Sequence, residues 1–200
     1  MITFILLIVF LISWCIQVVF YVVFFRKLAF FKDKKAFLTK QHLGISVIIC
    51  ARNEYQNLLK NIEKIAEQDY KIFEIIVVND ASTDETANLL EQYAQKYPHF
   101  RFINISEAEK TQKGKKQALT KGIEAAKNEI LVLTDADCWP NSTEWLSLIA
   151  RHFENEKTDV ILAYGPYETN KSFLNLIVQF ETLYTACLLY TSPSPRDLRK

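Results

Sequence analysis

The chain opens with an apolar run, Met1 to Phe25, that contains no charged side chain. Folded as an α-helix with a rise of about 1.5 Å per residue, this run is long enough to cross the ~30 Å hydrocarbon core of a bilayer. A cleaved signal peptide would have a basic start and a shorter apolar stretch, whereas the basic residues here come after the run. The sequence therefore predicts one uncleaved transmembrane helix at residues 1–25.

A basic linker follows the apolar run and predicts its orientation. Its Lys and Arg side chains are Arg26, Lys27, Lys32, Lys34, Lys35 and Lys40. Because positive residues that flank a span stay on the cytoplasmic side, everything after residue 25 should be cytoplasmic. We therefore expect a single-pass protein of the cell (inner) membrane, with a linker at residues 26–43 and the N-terminus facing outward.

The composition argues against several classes of protein. The 24 basic and 23 acidic residues give a net charge of +1, so no nucleic-acid-binding surface is indicated. The four cysteines lie far apart, which argues against a disulfide framework and a structural zinc site. None of the four glycines belongs to a dinucleotide-binding or P-loop motif. The 200 residues leave room for about one soluble domain.

After the linker, strand-like and helix-like segments alternate. The strand-like segments are residues 44–50, 74–78, 100–105, 129–133 and 159–163, and the helix-like ones are residues 55–68, 84–97, 116–127 and 142–154. Continuous apolar strands separated by helices predict an α/β fold whose mostly parallel sheet is covered on both faces. In such folds ligands bind at the carboxyl ends of the strands.

Three loops that follow predicted strands are rich in polar side chains. They are residues 50–54, 79–84 and 134–138, and we expect them to lie side by side at one edge of the sheet. Asp80 directly ends a strand, so we interpret it as a ligand-binding residue. Asp84 precedes a helix, where Asp is favoured as a capping group, and a structural role is expected for it.

The third of these loops contains Asp135-Ala-Asp137 after a buried strand. Two carboxylates one residue apart can face a hard divalent cation, whose other positions are filled by water and phosphate oxygens. The alternative is that these acids only end the strand before the turn at Trp139. The context of the other two loops favours a metal site.

A basic loop, residues 110–116, leads into the predicted helix 116–127. The unpaired N–H groups of a helix N-terminus already attract anions, and Lys113, Lys115 and Lys116 would strengthen that attraction. A solvated charged loop is the alternative. Beside a predicted cation site, diphosphate binding is favoured.

Four motifs in this order, ISVIICARNE, IIVVNDASTDET, KGKKQALTKGIEAA and LVLTDADC, resemble those of family 2 glycosyltransferases. The resemblance covers roughly Gly44 to Tyr167. It implies the GT-A fold, with a Rossmann-like sheet, and an incomplete donor-binding domain at residues 44–186. Asn79 and Ala81 stand where the family often has Asp and Gly, and Thr120 stands where Asn is common.

The resemblance also implies roles for individual residues. Those that would hold the nucleoside are Ala51, Arg52, Glu54 and Asp80. Lys115 would approach the phosphates. Asp135 would bind the ribose and, with Asp137, a Mn or Mg ion that bridges the diphosphate. The implied activity is metal-dependent, inverting transfer of a sugar from a nucleotide-diphosphate sugar, with a uridine donor favoured, to a glycan or lipid-linked acceptor of cell-envelope polysaccharide synthesis.

No general base is assigned in this chain. In the family an acidic residue beyond the D-x-D motif takes the proton of the acceptor hydroxyl, but after Tyr167 only an amphipathic stretch, Ser172 to Leu183, is found. Glu168 and Glu181 lack the context of that base. We therefore expect the chain to bind donor without transferring sugar.

The last residues, 187–200, resemble a tail that recurs on unrelated truncated reading frames, so they are predicted not to be native. An ordinary Pro/Ser-rich terminus is the alternative.

Two functions other than glycosyl transfer are compatible with an α/β fold of this kind. A sugar-nucleotide pyrophosphorylase should have a Gly-rich loop after its first strand, whereas residues 50–54 contain no glycine. A non-catalytic, membrane-anchored protein that binds nucleotide-sugars stays open as the alternative.

Overall fold

The computed structural model of the protein describes residues 2–29, 43–111, 114–154 and 158–191. The chain divides into two compact units, residues 36–161 and residues 1–35 with 162–200. The elements in chain order are α1 (Ile2–Ala29), β1 (Ile45–Ala51), α2 (Tyr55–Ala66), β2 (Phe73–Asp80), α3 (Thr86–Lys96), β3 (Phe100–Ile105), α4 (Lys116–Ala125), β4 (Ile130–Asp135), α5 (Trp145–Phe153) and α6 (Phe173–Thr191).

The four strands form one parallel sheet in the order β3-β2-β1-β4. Ile45 of β1 lies opposite Phe73 of β2 and Ile130 of β4, so these three strands start at the same level. Every residue of β1 is buried, because helices cover both faces of a parallel sheet. The predicted α/β architecture is confirmed.

Apolar side chains of the sheet pack against helices on both faces. On one face, Val47 belongs to a buried cluster with Leu58 of α2 and Leu90 of α3. On the other face, Ile76 packs in a second cluster with Ala118 of α4. Burial of each such Ile, Leu or Val side chain stabilises the fold by roughly 1.5–3 kcal/mol.

Helix α4 lies unusually close to the sheet at Gly122. A Cβ atom at this position would lie 2.6 Å from Cγ2 of Ile48, well inside van der Waals contact. Only glycine permits this approach without a shift of Ile48. The position of α4 matters for function because the basic loop leads directly into its first turn.

The fifth predicted strand, residues 159–163, is wrong. The structure describes this segment without regular secondary structure. Val160 and Leu162 are 72% and 73% exposed, so neither packs into a core. Apolar, β-branched residues favour a strand only when a neighbouring strand supplies hydrogen bonds and side-chain contacts, and no strand in the described segments pairs with this one.

The second unit contains α1 and α6. Within α1, residues Ile2–Val23 form a helix apolar and long enough to cross a membrane, and they are exposed throughout. The stretch predicted at residues 172–183 is part of α6, which continues without a break past residue 187 to Thr191. The linker residues 30–42 and the terminal residues 192–200 lie outside the described part of the chain.

Candidate donor-binding site

The polar loops meet at the carboxyl edge of the sheet, as predicted. Cys50 near the end of β1 lies opposite Asp135 at the end of β4, and Ala51 lies opposite Asn79 of β2. The parallel register therefore places the loops after β1, β2 and β4 next to one another. Three segments that are distant in sequence form one continuous edge.

The loops after β1 and β2 are joined by hydrogen bonds. The Asn53 Oδ1 atom accepts from the Thr83 N–H at 2.7 Å, and the Asn53 N–H donates to the Ser82 hydroxyl at 2.9 Å. The Tyr55 N–H also donates to Asp84 Oδ2 at 3.2 Å. These bonds hold the two loops in a fixed relative position.

Two residues in these loops have left-handed backbone conformations, Asn53 with φ 57° and Ala81 with φ 55°. Asparagine tolerates this region, whereas for alanine it costs roughly 1–2 kcal/mol. The Ala81 N–H donates to the carbonyl of Ile105 at 2.9 Å, a bond that helps to maintain this conformation. The position where the family often has glycine is thus one that requires a positive φ.

Asp84 has the structural role expected for it. Its Oδ1 atom accepts from the Thr86 N–H at 3.1 Å in the first turn of α3, although the cap residue itself is Glu85. Burial acts to raise the pKa of Asp84, but hydrogen bonds from Thr86 and Tyr55 outweigh it and hold the pKa below its ordinary value. The carboxylate is fully engaged with the protein.

Asp80, the last residue of β2, forms a buried ion pair. Its Oδ2 atom lies 2.8 Å from Nζ of Lys110, and only 8% of the Asp80 side chain and 10% of the Lys110 side chain are exposed. The Oδ1 atom is buried and has no hydrogen-bond partner among the described residues. A buried carboxylate oxygen without a partner is costly, so this atom is suited to accept from a ligand.

A cleft of about 270 Å³ lies beside this pair. Five of the residues predicted to bind donor line it, namely Ala51, Arg52, Glu54, Asp80 and Lys115. Three further residues line it that the sequence did not identify, namely Cys50, Lys110 and Gly114. The structure therefore brings the predicted nucleoside and phosphate residues to one concave surface.

Arg52 and Glu54, at the rim, also contact residues outside the cleft. The Arg52 guanidinium lies 3.6 Å from Glu107 Oε2, with both side chains largely exposed. Glu54 Oε2 accepts from the Asn57 side-chain amide at 2.6 Å. Since the Arg52 pair is solvated, it is worth little and leaves the guanidinium available to a ligand.

A second lysine–carboxylate pair lies at the same edge. Lys115 Nζ donates to Asp135 Oδ1, and about half of each side chain is exposed. Burial acts to lower the pKa of Lys115, but the hydrogen bond and charge of Asp135 outweigh it and raise the pKa. Lys115 is the residue that precedes the first turn of α4, where N–H groups also attract anions.

Asp137 lies in the turn after β4 and is exposed; its Oδ1 atom is 3.5 Å from the Cys138 sulfur. Across the residues that the structure describes, no group of three or more His, Cys, Asp or Glu side chains could by itself hold a metal. Asp135 and Asp137 nevertheless fit Mn or Mg, because such ions are often bound by one or two carboxylates together with water and substrate phosphates. The Asp135 carboxylate pairs with the Lys115 ammonium, which a metal ion would displace.

Lys110 is the functional candidate that sequence reasoning missed. The sequence indicates it only as the first residue of a basic loop, because its pairing with Asp80 depends on a contact across 30 residues of sequence. Burial raises the pKa of the Cys50 thiol, and the nearby Lys115 charge only partly opposes this rise, so Cys50 lines the cleft as a neutral thiol.

The other two lysines of the basic loop are not placed at the cleft. Lys113 lies outside the described residues, and Lys116 is exposed at the start of α4.

Comparison with known proteins identifies the family. Residues 46–191 match the family model described as glycosyl transferase family 2. The chain belongs to this family. A 4,4'-diaponeurosporenoate glycosyltransferase of Staphylococcus haemolyticus is 30% identical over 159 residues, which are 76% of this chain and 41% of that protein. A poly-beta-1,6-N-acetyl-D-glucosamine synthase of Staphylococcus epidermidis is 25% identical and is covered to 34%.

Solved structures of family members confirm the GT-A fold. S. aureus TarS 1-349 in complex with UDP-GlcNAc is 25% identical and superposes with a TM-score of 0.53 over 66% of this chain and 38% of that one. A mannosyltransferase from Pyrobaculum calidifontis in complex with GDP-Man and Mn2+ has a TM-score of 0.53 over 78% of this chain and 45% of that one, at 24% identity. The chain thus spans less than half the length of these relatives.

Proposed function

We propose that the protein is a membrane-anchored glycosyltransferase whose described domain binds a nucleotide-diphosphate sugar, with a uridine donor favoured, together with Mn or Mg. The observation that carries this proposal is the buried Asp80–Lys110 pair. It leaves one carboxylate oxygen unsatisfied beside a cleft that Lys115 also lines, and Lys115 in turn pairs with Asp135 of the D-x-D motif.

The Asp80–Lys110 pair would recognise the nucleobase. Uracil has an imide N–H between two carbonyl groups, so it could donate to Asp80 Oδ1 while a carbonyl accepts from Lys110. Guanine offers two adjacent N–H groups that pair best with both carboxylate oxygens, and at Oδ2 they would compete with the Lys110 ammonium. The UDP-GlcNAc complex of TarS agrees with a uridine donor, whereas the mannosyltransferase from Pyrobaculum calidifontis is in complex with GDP-Man. A small shift of the Lys110 side chain would open Oδ1 to the base.

Lys115 would bind the diphosphate. Its ammonium group now pairs with Asp135, and it would exchange this carboxylate for phosphate oxygens when donor and metal enter. Asp137 and Asp135 would hold the Mn or Mg ion, which when bound supplies stabilisation of the negative charge on the leaving diphosphate. Arg52 and Glu54 would complete the nucleoside side of the cleft.

Sugar transfer with inversion also needs a base for the acceptor hydroxyl, and none of the described residues at the cleft is assigned that role. Glu168 and Glu181 both belong to the second unit, Glu181 on α6. Proton abstraction by a positioned base contributes about 10²–10⁴-fold in rate, so the chain should bind donor but transfer little sugar. The acceptor would be a glycan or a lipid-linked one.

The apolar part of α1 would anchor the protein in the cell (inner) membrane, with the donor-binding domain on the cytoplasmic side. The apolar sequence of Ile2–Val23 and the absence of buried residues in it support a lipid environment. Arg26, exposed just after this span, agrees with a cytoplasmic end.

Titration calorimetry of the full chain in detergent, with UDP and Mn, tests the proposal. Asp80→Asn should lower UDP affinity by roughly 10- to 100-fold, since a hydrogen bond to a charged group contributes about 1.5–3 kcal/mol. Asp137→Ala should abolish the gain in affinity that Mn provides. Glu91→Gln, an exposed change on α3, is the matched control. If both site variants bind UDP as the parent chain does, the assigned site is wrong.

A further inference from the structure

Helix α6 exposes an apolar surface that the described parts of the chain leave uncovered. Its large exposed side chains are Phe173, Leu174, Leu176, Ile177 and Phe180, with exposed fractions between 44% and 77%. Glu181 is the only charged residue in its sequence. A helix on the surface of a soluble protein normally has a broad polar face, whereas a helix this apolar is normally covered by protein or lipid.

The other half of α6 packs against α1 within the same unit. The rings of Tyr184 and Tyr21 lie with centroids 6.2 Å apart, and Tyr184 stacks on Phe180 at 6.2 Å with an angle of 14° between the ring planes. Cys187, one turn beyond Tyr184, is only 2% exposed. The exposed apolar surface of α6 is therefore continuous with a helix pair that includes the candidate span.

The contact point fixes the level of α6 relative to the bilayer. The apolar part of α1 is Ile2–Val23, so Tyr21 lies in its last turn, where a span leaves the hydrocarbon core. Tyrosine is enriched at this membrane–water interface, because its ring is apolar and its hydroxyl is polar. A residue in contact with Tyr21, such as Tyr184, must lie at the same interface.

We infer that α6 is a second membrane-contacting element, which rests in the lipid interface beside the cytoplasmic end of α1. Its first two turns place their apolar side chains at the boundary of head groups and acyl chains. This inference rests on the proposed anchoring by α1 and is independent of donor binding. Lipid is favoured over a protein partner because the α6 surface adjoins an apolar span that contains no buried residue, and because α6 has one charge in 19 residues.

Site-specific fluorescence in lipid nanodiscs tests this inference on the full chain. The four cysteines of the chain are replaced by serine or alanine, and Leu174→Cys or Ile177→Cys is labelled with an environment-sensitive dye. Val19→Cys on α1 reports the membrane interior, and Leu59→Cys on α2 is the exposed control. Quenchers attached to lipid acyl chains near the head group should reduce the emission of the α6 labels at least about twofold, and that of the Leu59 label hardly at all.

Three other results of the fluorescence experiment are possible, and each contradicts a different statement. If the α6 labels show blue-shifted emission without quenching by lipid, protein covers α6 and the inference is wrong. If they behave like the Leu59 label while the Val19 label is quenched, α6 stays in water although α1 is anchored. If the Val19 label is also not quenched, the proposed anchoring fails. UDP binding, measured on the same samples, reports separately on the proposed donor site.

Discussion

Strand β2 has a buried carboxylate at each end, and their surroundings differ. Glu74, near the amino end, accepts from the Ser46 hydroxyl and the Lys127 N–H, both at 2.7 Å, and from Arg101 Nε at 3.0 Å. Asp80, at the carboxyl end, has the Lys110 ammonium on one oxygen and no partner for the other among the described residues. One carboxylate is saturated by the protein and the other is incomplete.

Cavity size does not distinguish these two regions. A cleft of about 300 Å³ lies beside Glu74, and one of about 270 Å³ lies beside Asp80. What differs is the unsatisfied hydrogen-bonding capacity that each cleft offers a ligand. We therefore assign the amino edge to stability and the carboxyl edge to binding, in agreement with the general location of ligands in α/β folds.

The largest expected effect is on folding, at the amino edge. Glu74→Ala removes the acceptor of three hydrogen bonds and leaves Arg101 without its carboxylate. We expect a loss of about 2–3 kcal/mol in the free energy of unfolding, below the value for a fully buried pair because the Arg101 side chain is 34% exposed. Urea unfolding of the parent chain and the variant measures this loss of stability. UDP affinity of the folded protein should not change, and a large loss of affinity would contradict the division of roles.

The second prediction concerns Lys110 at the carboxyl edge. Lys110→Met keeps an apolar side chain of similar length but removes the ammonium group. We expect UDP affinity to fall roughly tenfold and the preference for UDP over GDP to shrink, because a charged hydrogen bond contributes about 1.5 kcal/mol or more. Calorimetry with both nucleotides measures the ratio.

Lys96→Met, at an exposed position on α3 where the ammonium pairs with Glu63, is the control for loss of one positive charge. An unchanged ratio of UDP to GDP affinity in Lys110→Met would remove Lys110 from base recognition.

A third prediction uses pH. Burial acts to raise the pKa of Glu74, but hydrogen bonds from Ser46, Lys127 and Arg101 outweigh it, so the pKa lies below its ordinary value of 4.5. A depressed folded-state pKa means that the ionised Glu74 stabilises the fold above pH 4.5 and that this contribution is lost as the pH falls through the folded-state pKa. The stability difference between the parent chain and Glu74→Gln should therefore shrink upon acidification. A difference that stays constant down to about pH 3 would contradict this pKa direction.

The smallest expected effect concerns the backbone beside Asp80. Ala81→Gly relieves the left-handed conformation at φ 55° but adds freedom to the unfolded chain. We expect a net gain of about 0.5 kcal/mol in the free energy of unfolding. Ala94→Gly in helix α3 is the matched control, and it should lose about 1 kcal/mol. The midpoint temperatures of thermal unfolding should therefore rise for Ala81→Gly and fall for Ala94→Gly.

Much of the fold was predictable because it depends on local patterns. Runs of apolar residues predicted four of the strands, and apolar residues at helical spacing predicted the helices that cover them. Each predicted helix extends a few residues beyond the observed one. The prediction of a strand at residues 159–163 was wrong, because its apolar residues have no pairing strand among the described segments. Strand formation depends on neighbours that a local pattern does not contain.

The sequence by itself determined which loops would be polar and that parallel strands would bring them to one edge, because strand direction and side-chain chemistry are encoded locally. Only the tertiary structure decided how these charges pair and which aromatic rings meet. Lys110 pairs with Asp80, Lys115 pairs with Asp135, and the Tyr184 ring contacts the Tyr21 ring. An ion pair or ring contact depends on distances of a few ångströms between segments far apart in the chain, and these distances are set by how the helices and strands pack.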